Sequence, residues 1–324
     1  MATIKDVANL ANVSTATVSR VLNNNGYVNI DTRKHVKAAI TQLNYRPNDI
    51  ARSLYKGSSR IIALFVPDIM NPFFPELARA VEDVTKKHQY TFVLCNTDDN
   101  PEKAKAYLEA LQQKSVDGFI IVSSNLEPKH LGHIDVPVVA LDRIVSDKLS
   151  SVTIKNRESA RVATQYLKDA GCQRIAHICG PDFAVNTMER LKGYLDVVKE
   201  EKWFLSSYVV CGEYNYEMTI SITKELLVNH PEIDGIFAAN DLMGISVLKA
   251  AEKLGIKVPG QLAVVGFDGI AMAETATPSL TTIQQPIYQI GAQAAHLLLE
   301  HINHPNSEIQ QLKLDTKLVV RDST

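Results

Sequence analysis

Several short stretches of this chain place an amide, a carboxylate or an arginine directly beside a ring or an opposite charge. They are Asn71-Pro72-Phe73-Phe74, Asp142-Arg143, Asn240-Asp241 and Phe267-Asp268, with Arg190 and Gln285 standing apart from them. None has the layout of a nucleophile with its base, so the chemistry they suit is recognition. Flat apolar rings stack on the C–H faces of a polyol, and charged planar groups accept from and donate to its vicinal hydroxyls. Phe73, Phe74 and Phe267 supply such faces, and Asp142, Arg143, Arg190, Asn240, Asp268 and Gln285 supply such a polar ring. Acids and arginines nearly balance in that set, which fits an uncharged ligand better than a phosphorylated one. Singly, each has a plainer role: Asn71-Pro72 starts a helix well, Asp142-Arg143 suits a surface ion pair, and phenylalanines fill cores.

What unites these stretches is where they fall. IIALFVPD, YTFVLCN, GFIIVSS, VPVVALD, RIAHICG, YVVCG, GIFAAN and LAVVGFDG are short unbroken apolar runs ending in polar residues or glycine. Amphipathic stretches at 73–88, 101–114, 157–170, 188–201, 217–229 and 242–254 separate most of them. Strands without alternation, spaced by helices, predict parallel sheets covered on both faces. The strands exceed what one sheet of ordinary width holds, so the pattern predicts two doubly wound α/β subdomains with a ligand cleft between them. The polar clusters sit at strand ends, where open α/β sheets bind ligands.

The first sixty residues follow another rhythm. Residues 3–11 predict a short helix begun by a Thr3–Asp6 capping box, Asn12-Val13 a tight break, and Ser14 the cap of a second helix. A third helix is expected from about Asp31 to Leu43; Pro47 then breaks the chain, and Asn48 can cap a short helix to Tyr55 before a Gly57-Ser58-Ser59 linker. This layout is a helix-turn-helix, whose second helix reads base edges in the major groove. On that helix Thr15, Ala16 and Arg20 point away from the apolar face of Val18, Val21 and Leu22. Arg20 is placed for a bidentate bond to guanine, and the Ser14, Thr17 and Ser19 hydroxyls for phosphates. Residues 1–60 hold nine Lys/Arg against three acids, a charge of +6, which leaves −8 for the rest of a chain whose net charge is −2. A basic module on an acidic body expects a polyanion at one end only.

The motif T-I-x-D-V-A-x-x-A-x-V-S-x-x-T-V-S-R-V-L-N, continued by T-R-K-x-V-x-A-A-I-x-x-L-N-Y-R-P-N, resembles the DNA-binding head of the lactose-repressor family. That resemblance implies DNA contacts from Thr3, Ser14, Thr15, Ala16, Thr17, Ser19, Arg20 and Asn23, and from Asn48, Ala51, Arg52 and Leu54 of a hinge helix. Leu54 is then the side chain wedged into the minor groove of a kinked operator. NPFF, LDR, ERLKG, AND, GFDG and TTIQQ are similar, in order, to the pocket of the periplasmic ribose-binding protein. Carried over, Asn71, Phe73, Phe74, Asp142, Arg143, Arg190, Asn240, Phe267, Asp268 and Gln285 match, while Tyr214 (or Tyr216) stands where that protein has a phenylalanine. Head and pocket together are most similar to the ribose-responsive repressors of the family. Expected from this are D-ribose as inducer, pseudo-palindromic operator DNA as partner, and a homodimer using faces near 73–88 and 242–254. A purine-responsive corepressor and a catabolite regulator answering to a phosphocarrier protein are the rival members of the family.

The expected organisation is a helix-turn-helix domain at 1–46, a hinge and linker at 47–59, and a core at 60–324. Within the core, 60–157 and 287–317 are assigned to one subdomain, and 158–286 and 318–324 to the other. An enzyme is not expected: G-x-G-x-x-G, G-x-x-x-x-G-K-[ST] and G-x-S-x-G are missing. The pairs His130/His133 and His301/His304 read as solvated surface histidines, and no cofactor or metal is expected. Polar residues in MATIKDVANL argue against a signal peptide, and dispersed Cys95, Cys172, Cys179 and Cys211 read as reduced thiols, so a cytoplasmic location is expected. The ending KLVVRDST, without trailing heptads, argues against a tetramerising coiled coil.

Overall fold

The computed structural model describes residues 2–45, 58–122, 131–142 and 145–324. It divides into two compact units, 1–59 and 60–324. The expected hinge residues Asn48, Ala51, Arg52 and Leu54, and Arg143 of the expected pocket, lie outside the described residues.

The first unit is three helices, α1 (Ile4–Leu10), α2 (Thr15–Asn23) and α3 (Ile30–Gln42). Local chemistry sets each start. The Thr3 backbone N–H donates to Asp6 Oδ2 at 2.7 Å while Asp6 N–H donates back to Thr3 Oγ1 at 3.3 Å, a closed capping box. Asn12, at φ 50°, makes the turn, and Ser14 Oγ accepts the Thr17 amide at 3.2 Å to begin α2. Asn29 caps α3, one residue earlier than the sequence pattern suggests, by accepting from Asp31 N–H at 2.9 Å. Val7, Ala8, Val18, Val21, Val36 and Ala39 form the buried core of this unit.

Two six-stranded sheets organise the second unit. The first takes β1 (Ile61–Val66), β2 (Thr91–Asn96), β3 (Gly118–Val122), β4 (Val138–Leu141), β5 (Ser150–Ile154) and β11 (Gln311–Leu314), in the order β11-β5-β4-β3-β1-β2, all parallel. The second takes β6 (Ile175–Cys179), β7 (Val209–Cys211), β8 (Gly235–Ala238), β9 (Ala263–Asp268), β10 (Thr281–Gln284) and β12 (Lys317–Val319), in the order β12-β10-β9-β8-β6-β7. There β12 alone runs antiparallel, along β10.

Strand β1 shows why its run is unbroken. Ile62, Leu64 and Val66 pack with Leu77 and Val81 of α4 (Phe73–Lys87), while Ala63 and Phe65 turn to the opposite face and pack with Ala104 and Leu108 of α5 (Pro101–Gln112). Both faces are covered, so alternation would bury polar groups. On the second sheet α6 (Asn156–Asp169) packs on α7 (Val185–Val198), and α8 (Tyr216–Asn229) on α9 (Asp241–Leu254); the short α10 (Ala271–Thr275) follows β9. Helix α11 (Ile287–Asn303) packs against α4. Among the described residues no helix is long and apolar enough to cross a membrane.

The chain therefore passes between the two lobes after β5, after β10 and after β11. Ser159 and Thr316 hydroxyls meet at 2.8 Å and Lys155 pairs with Asp315 at 2.9 Å, which ties two of these passages together. His301 differs from the sequence expectation of a solvated histidine. It is buried, with its ring nitrogens 2.7 Å from Ser150 Oγ and 2.6 Å from Ser307 Oγ.

Candidate functional site

A cavity of about 460 Å³ lies where the carboxyl ends of the two sheets' strands meet. That volume is within the ordinary range of small-molecule pockets, ~300–1,000 Å³. Each wall residue is placed by the strand or helix that delivers it. Asn71 accepts the Phe73 amide at 3.1 Å and so starts α4, which sets Phe73 and Phe74 edge-to-face at 5.2 Å. Asn240 caps α9 through Met243 N–H at 2.8 Å. Tyr214 follows β7, its hydroxyl 2.6 Å from Thr187 Oγ1. Its ring lies over Gly180, where a Cβ would stand 2.5 Å from it, so that glycine is needed for the close approach.

Arg190 is the centre of the polar floor. It is 3% exposed, and its Nε donates to Asn156 Oδ1 at 2.9 Å. One terminal nitrogen donates to the Ala239 carbonyl at 2.5 Å and to Asp268 Oδ1 at 3.3 Å. Asp268 also accepts from Gln285 Nε2 at 2.7 Å. A buried guanidinium is tolerable only when paired and hydrogen-bonded in this way. Burial raises the Asp268 carboxyl to about 6, although Arg190 and Gln285 pull it back down. Burial likewise raises Tyr214 to about 12, so it stays a neutral phenol.

The structure brings Asn71, Phe73, Phe74, Asp142, Arg190, Tyr214, Asn240, Asp268 and Gln285 onto one wall. Phe267 is a correction. It was expected to offer a face to the ligand, but it is fully buried and carries Arg190 on that face, 3.8 Å from guanidinium carbon to ring centre. The physical reason is the inward side of β9: its ring supports the cation from behind. Tyr216, the alternative to Tyr214, is on α8 and does not line the cavity.

Other wall residues escaped the sequence reading. Asn186, at the start of α7, donates to Asp142 Oδ2 at 2.5 Å and so bridges the two lobes. Asp68, Asp98, Asp99 and Glu213 also line the cavity. The expected near-balance of charge is thus revised: six carboxylates against Arg190 among the described residues, with Lys103 Nζ 2.5 Å from Asp98. Such a wall repels phosphates. What marks some of these in the structure is backbone conformation. Asp98, Asp99, Asp142, Glu213, Tyr214 and Asp268 all have positive φ, half of the twelve described non-glycine residues that do. Strained backbone collects at ligand sites because surrounding contacts can hold it there.

In the first unit Thr15, Ala16 and Arg20 are exposed on α2. The hydroxyls beside them have local partners: Thr3 Oγ1 donates to Asp6 at 2.8 Å, Ser14 and Thr17 share a bond of 3.0 Å, and Ser19 Oγ accepts from Asn23 Nδ2 at 3.2 Å. Their remaining lone pairs and the exposed Arg20 leave an outward polar surface.

A three-helix unit with an exposed second helix, joined in one chain to a two-sheet body around a polar cavity, defines a ligand-governed DNA-binding regulator. Residues 3–48 match the model of bacterial regulatory proteins of the lacI family, and residues 164–324 match the periplasmic binding protein-like domain. The ribose operon repressor of Halalkalibacterium halodurans is 46% identical over the whole of this chain and 97% of its own length. Catabolite control protein A of Priestia megaterium is 36% identical over 99% of both chains. A LacI family transcriptional regulator from Enterococcus faecium, solved with bound ribose, is 31% identical over 82% of this chain and 98% of that one, with a TM-score of 0.73. The chain belongs to the lactose-repressor family: it is a DNA-binding transcriptional repressor, a regulator rather than an enzyme.

Proposed function

We propose that this repressor controls a ribose-utilisation operon and is released from its operator by D-ribose held in the interlobe cavity. The observation that carries the reading is the buried set Arg190–Asp268–Gln285 beside Phe74. A carboxylate, a guanidinium and amides converge there within reach of vicinal hydroxyls, under an apolar face suited to a sugar ring. The acidic wall favours the free sugar over its phosphate. The ribose-binding relative and the ribose operon repressor at 46% identity support the same assignment.

The mechanism couples two sites. Ribose bound across both lobes favours their closed arrangement, and residues 47–59 carry that change to the head of each protomer in a dimer on a pseudo-palindrome. Release follows only if ribose binds the two states with different affinity.

The test is operator binding by the full-length protein, read by fluorescence anisotropy, across a panel of pentoses, their phosphates, hypoxanthine, guanine and a phosphocarrier protein. D-ribose weakens operator binding at sugar concentrations that calorimetry shows to saturate the cavity. Unchanged operator affinity at saturating ribose overturns the inducer assignment. Tightening by a purine makes the protein a corepressor type, and tightening by a phosphocarrier protein without sugar makes it a catabolite regulator.

A further inference from the structure

Asp241 is the first residue of α9, completely buried, and not on the cavity wall. It nonetheless takes three hydrogen bonds. Oδ2 accepts the backbone amides of Gly269 at 2.7 Å and Ile270 at 2.9 Å, and Oδ1 accepts the Thr282 hydroxyl at 2.5 Å. Room for it is made by Gly266, where a Cβ would stand 2.3 Å from Oδ1.

The two amides it holds are those that follow Asp268. That residue has φ 113°, a conformation L side chains rarely adopt, and Gly269 has φ 78°. A turn with two successive positive φ values is strained at Asp268 and persists only where its surroundings over-determine it. Here the turn aims the Asp268 carboxylate at Arg190 and Gln285. Freed from Asp241, the buried Ile270 amide would lack an acceptor and the half-buried Gly269 amide would lose its own, a cost large enough to rearrange the turn. A second carboxyl buried so near Asp268 is itself unfavourable, through desolvation and like-charge repulsion. Its presence there calls for a compensating role.

We infer that Asp241 is a positioning residue for effector binding, fixing the strained turn that presents the Asp268 carboxylate to the ligand. This deepens the reading of the cavity as the effector site and rests on it. Asparagine can do the same work. Its amide oxygen accepts both backbone amides, and its NH₂ donates to Thr282, whose hydroxyl reverses. Alanine cannot.

The test compares full-length wild type, Asp241→Asn and Asp241→Ala, with D-ribose as the calorimetric probe and with crystal structures of the sugar-free proteins. Asp241→Ala weakens ribose about tenfold or more, while Asp241→Asn stays within about threefold of wild type. In the crystals Asp241→Ala relaxes residue 268 and separates it from Arg190, whereas Asp241→Asn keeps the 3.3 Å contact. A purely structural role would lower the melting temperature of both variants without this split. If Asp241→Ala does not fold, Asp241→Ser takes its place, keeping a polar group at the start of α9 but falling short of the amides. The inference is overturned if the alanine or serine variant keeps Asp268 against Arg190 and binds ribose like wild type. Absence of ribose binding to wild type sinks the ribose assignment alone, and the sugar-free crystal structures then decide the role of Asp241.

Discussion

The head and the cavity both present polar side chains to a partner, but they hold them by opposite means. In the head, Ser14, Thr15, Ala16 and Arg20 are exposed and each helix is secured by a cap within three residues. In the cavity, Arg190, Asp268 and Gln285 are almost fully buried and secured by residues well separated along the chain. Water screens an error in the first case and cannot in the second. The difference teaches that substitutions of similar size should have costs ranked by burial.

Arg190 gives the strongest test. Replacing it by methionine leaves Asp268 and the Ala239 carbonyl buried without their partner, a change that typically costs about 3–5 kcal/mol. The expected outcome is loss of calorimetric ribose binding and a repressor that stays on its operator with sugar present. The head must keep its own melting transition and operator affinity. A variant that still responds to ribose would break the contrast at its deepest point.

Acidification probes the same contact without substitution. On the proposed reading ribose binding uses the Asp268 carboxylate, and burial raises that group to about 6. Ribose affinity is therefore full well above that value and declines as the pH falls through it, by roughly tenfold per unit once protonation dominates. Asp268→Asn should bind weakly and lose this pH dependence. Operator affinity without sugar should show no inflection from this group. Calorimetry between pH 7.5 and pH 5 checks both, and a flat wild-type profile counts against Asp268 as the acceptor.

Phe74 lies between the extremes, half-buried on the wall. Phe74→Ala removes a stacking face and should weaken ribose by about 1 kcal/mol, roughly fivefold. Stability should change little. Equal losses of affinity and stability would mean that the ring belongs to the core rather than to the ligand.

How much of this was legible beforehand follows the same division. The head could be read nearly to the residue, because Thr3, Asp6 and Ser14 act on neighbours a few positions away. The unbroken apolar strands and the polar clusters at their ends were also readable. Strand β5 was not: Ser-Ser-Val-Thr-Ile looks like a loop, yet it is buried, with Ser150 meeting His301 and Thr153 donating to the Leu312 carbonyl. Those partners are some 150 residues away, beyond any local pattern. Strands β11 and β12 are short and half-exposed, so their composition said little. Phe267 was misread because a ring next to a carboxylate looks the same whether it faces a sugar or backs an arginine. Asn186 was passed over, and Asp241 was named beside Asn240 but given no role of its own, because their work depends on the other lobe or on a turn downstream.

The smallest effect belongs to the head and tests the contrast from its other side. Ser14→Ala removes the acceptor of the Thr17 amide at an exposed helix start, worth about 0.5–1 kcal/mol. Water can take over that amide, so the loss should appear only as a lower melting transition of the head. Ser14→Asp should restore it, because a carboxylate caps as well and suits the positive end of α2. If Ser14 lies against the operator backbone as the family resemblance implies, the same carboxylate should weaken operator binding, because it adds a negative charge beside the phosphates. Stability restored with DNA affinity reduced separates the capping role of Ser14 from the DNA contact expected of it. Ribose affinity should be unchanged in both variants, and a shift in it would mean that the head is not the local structure its hydrogen bonds describe.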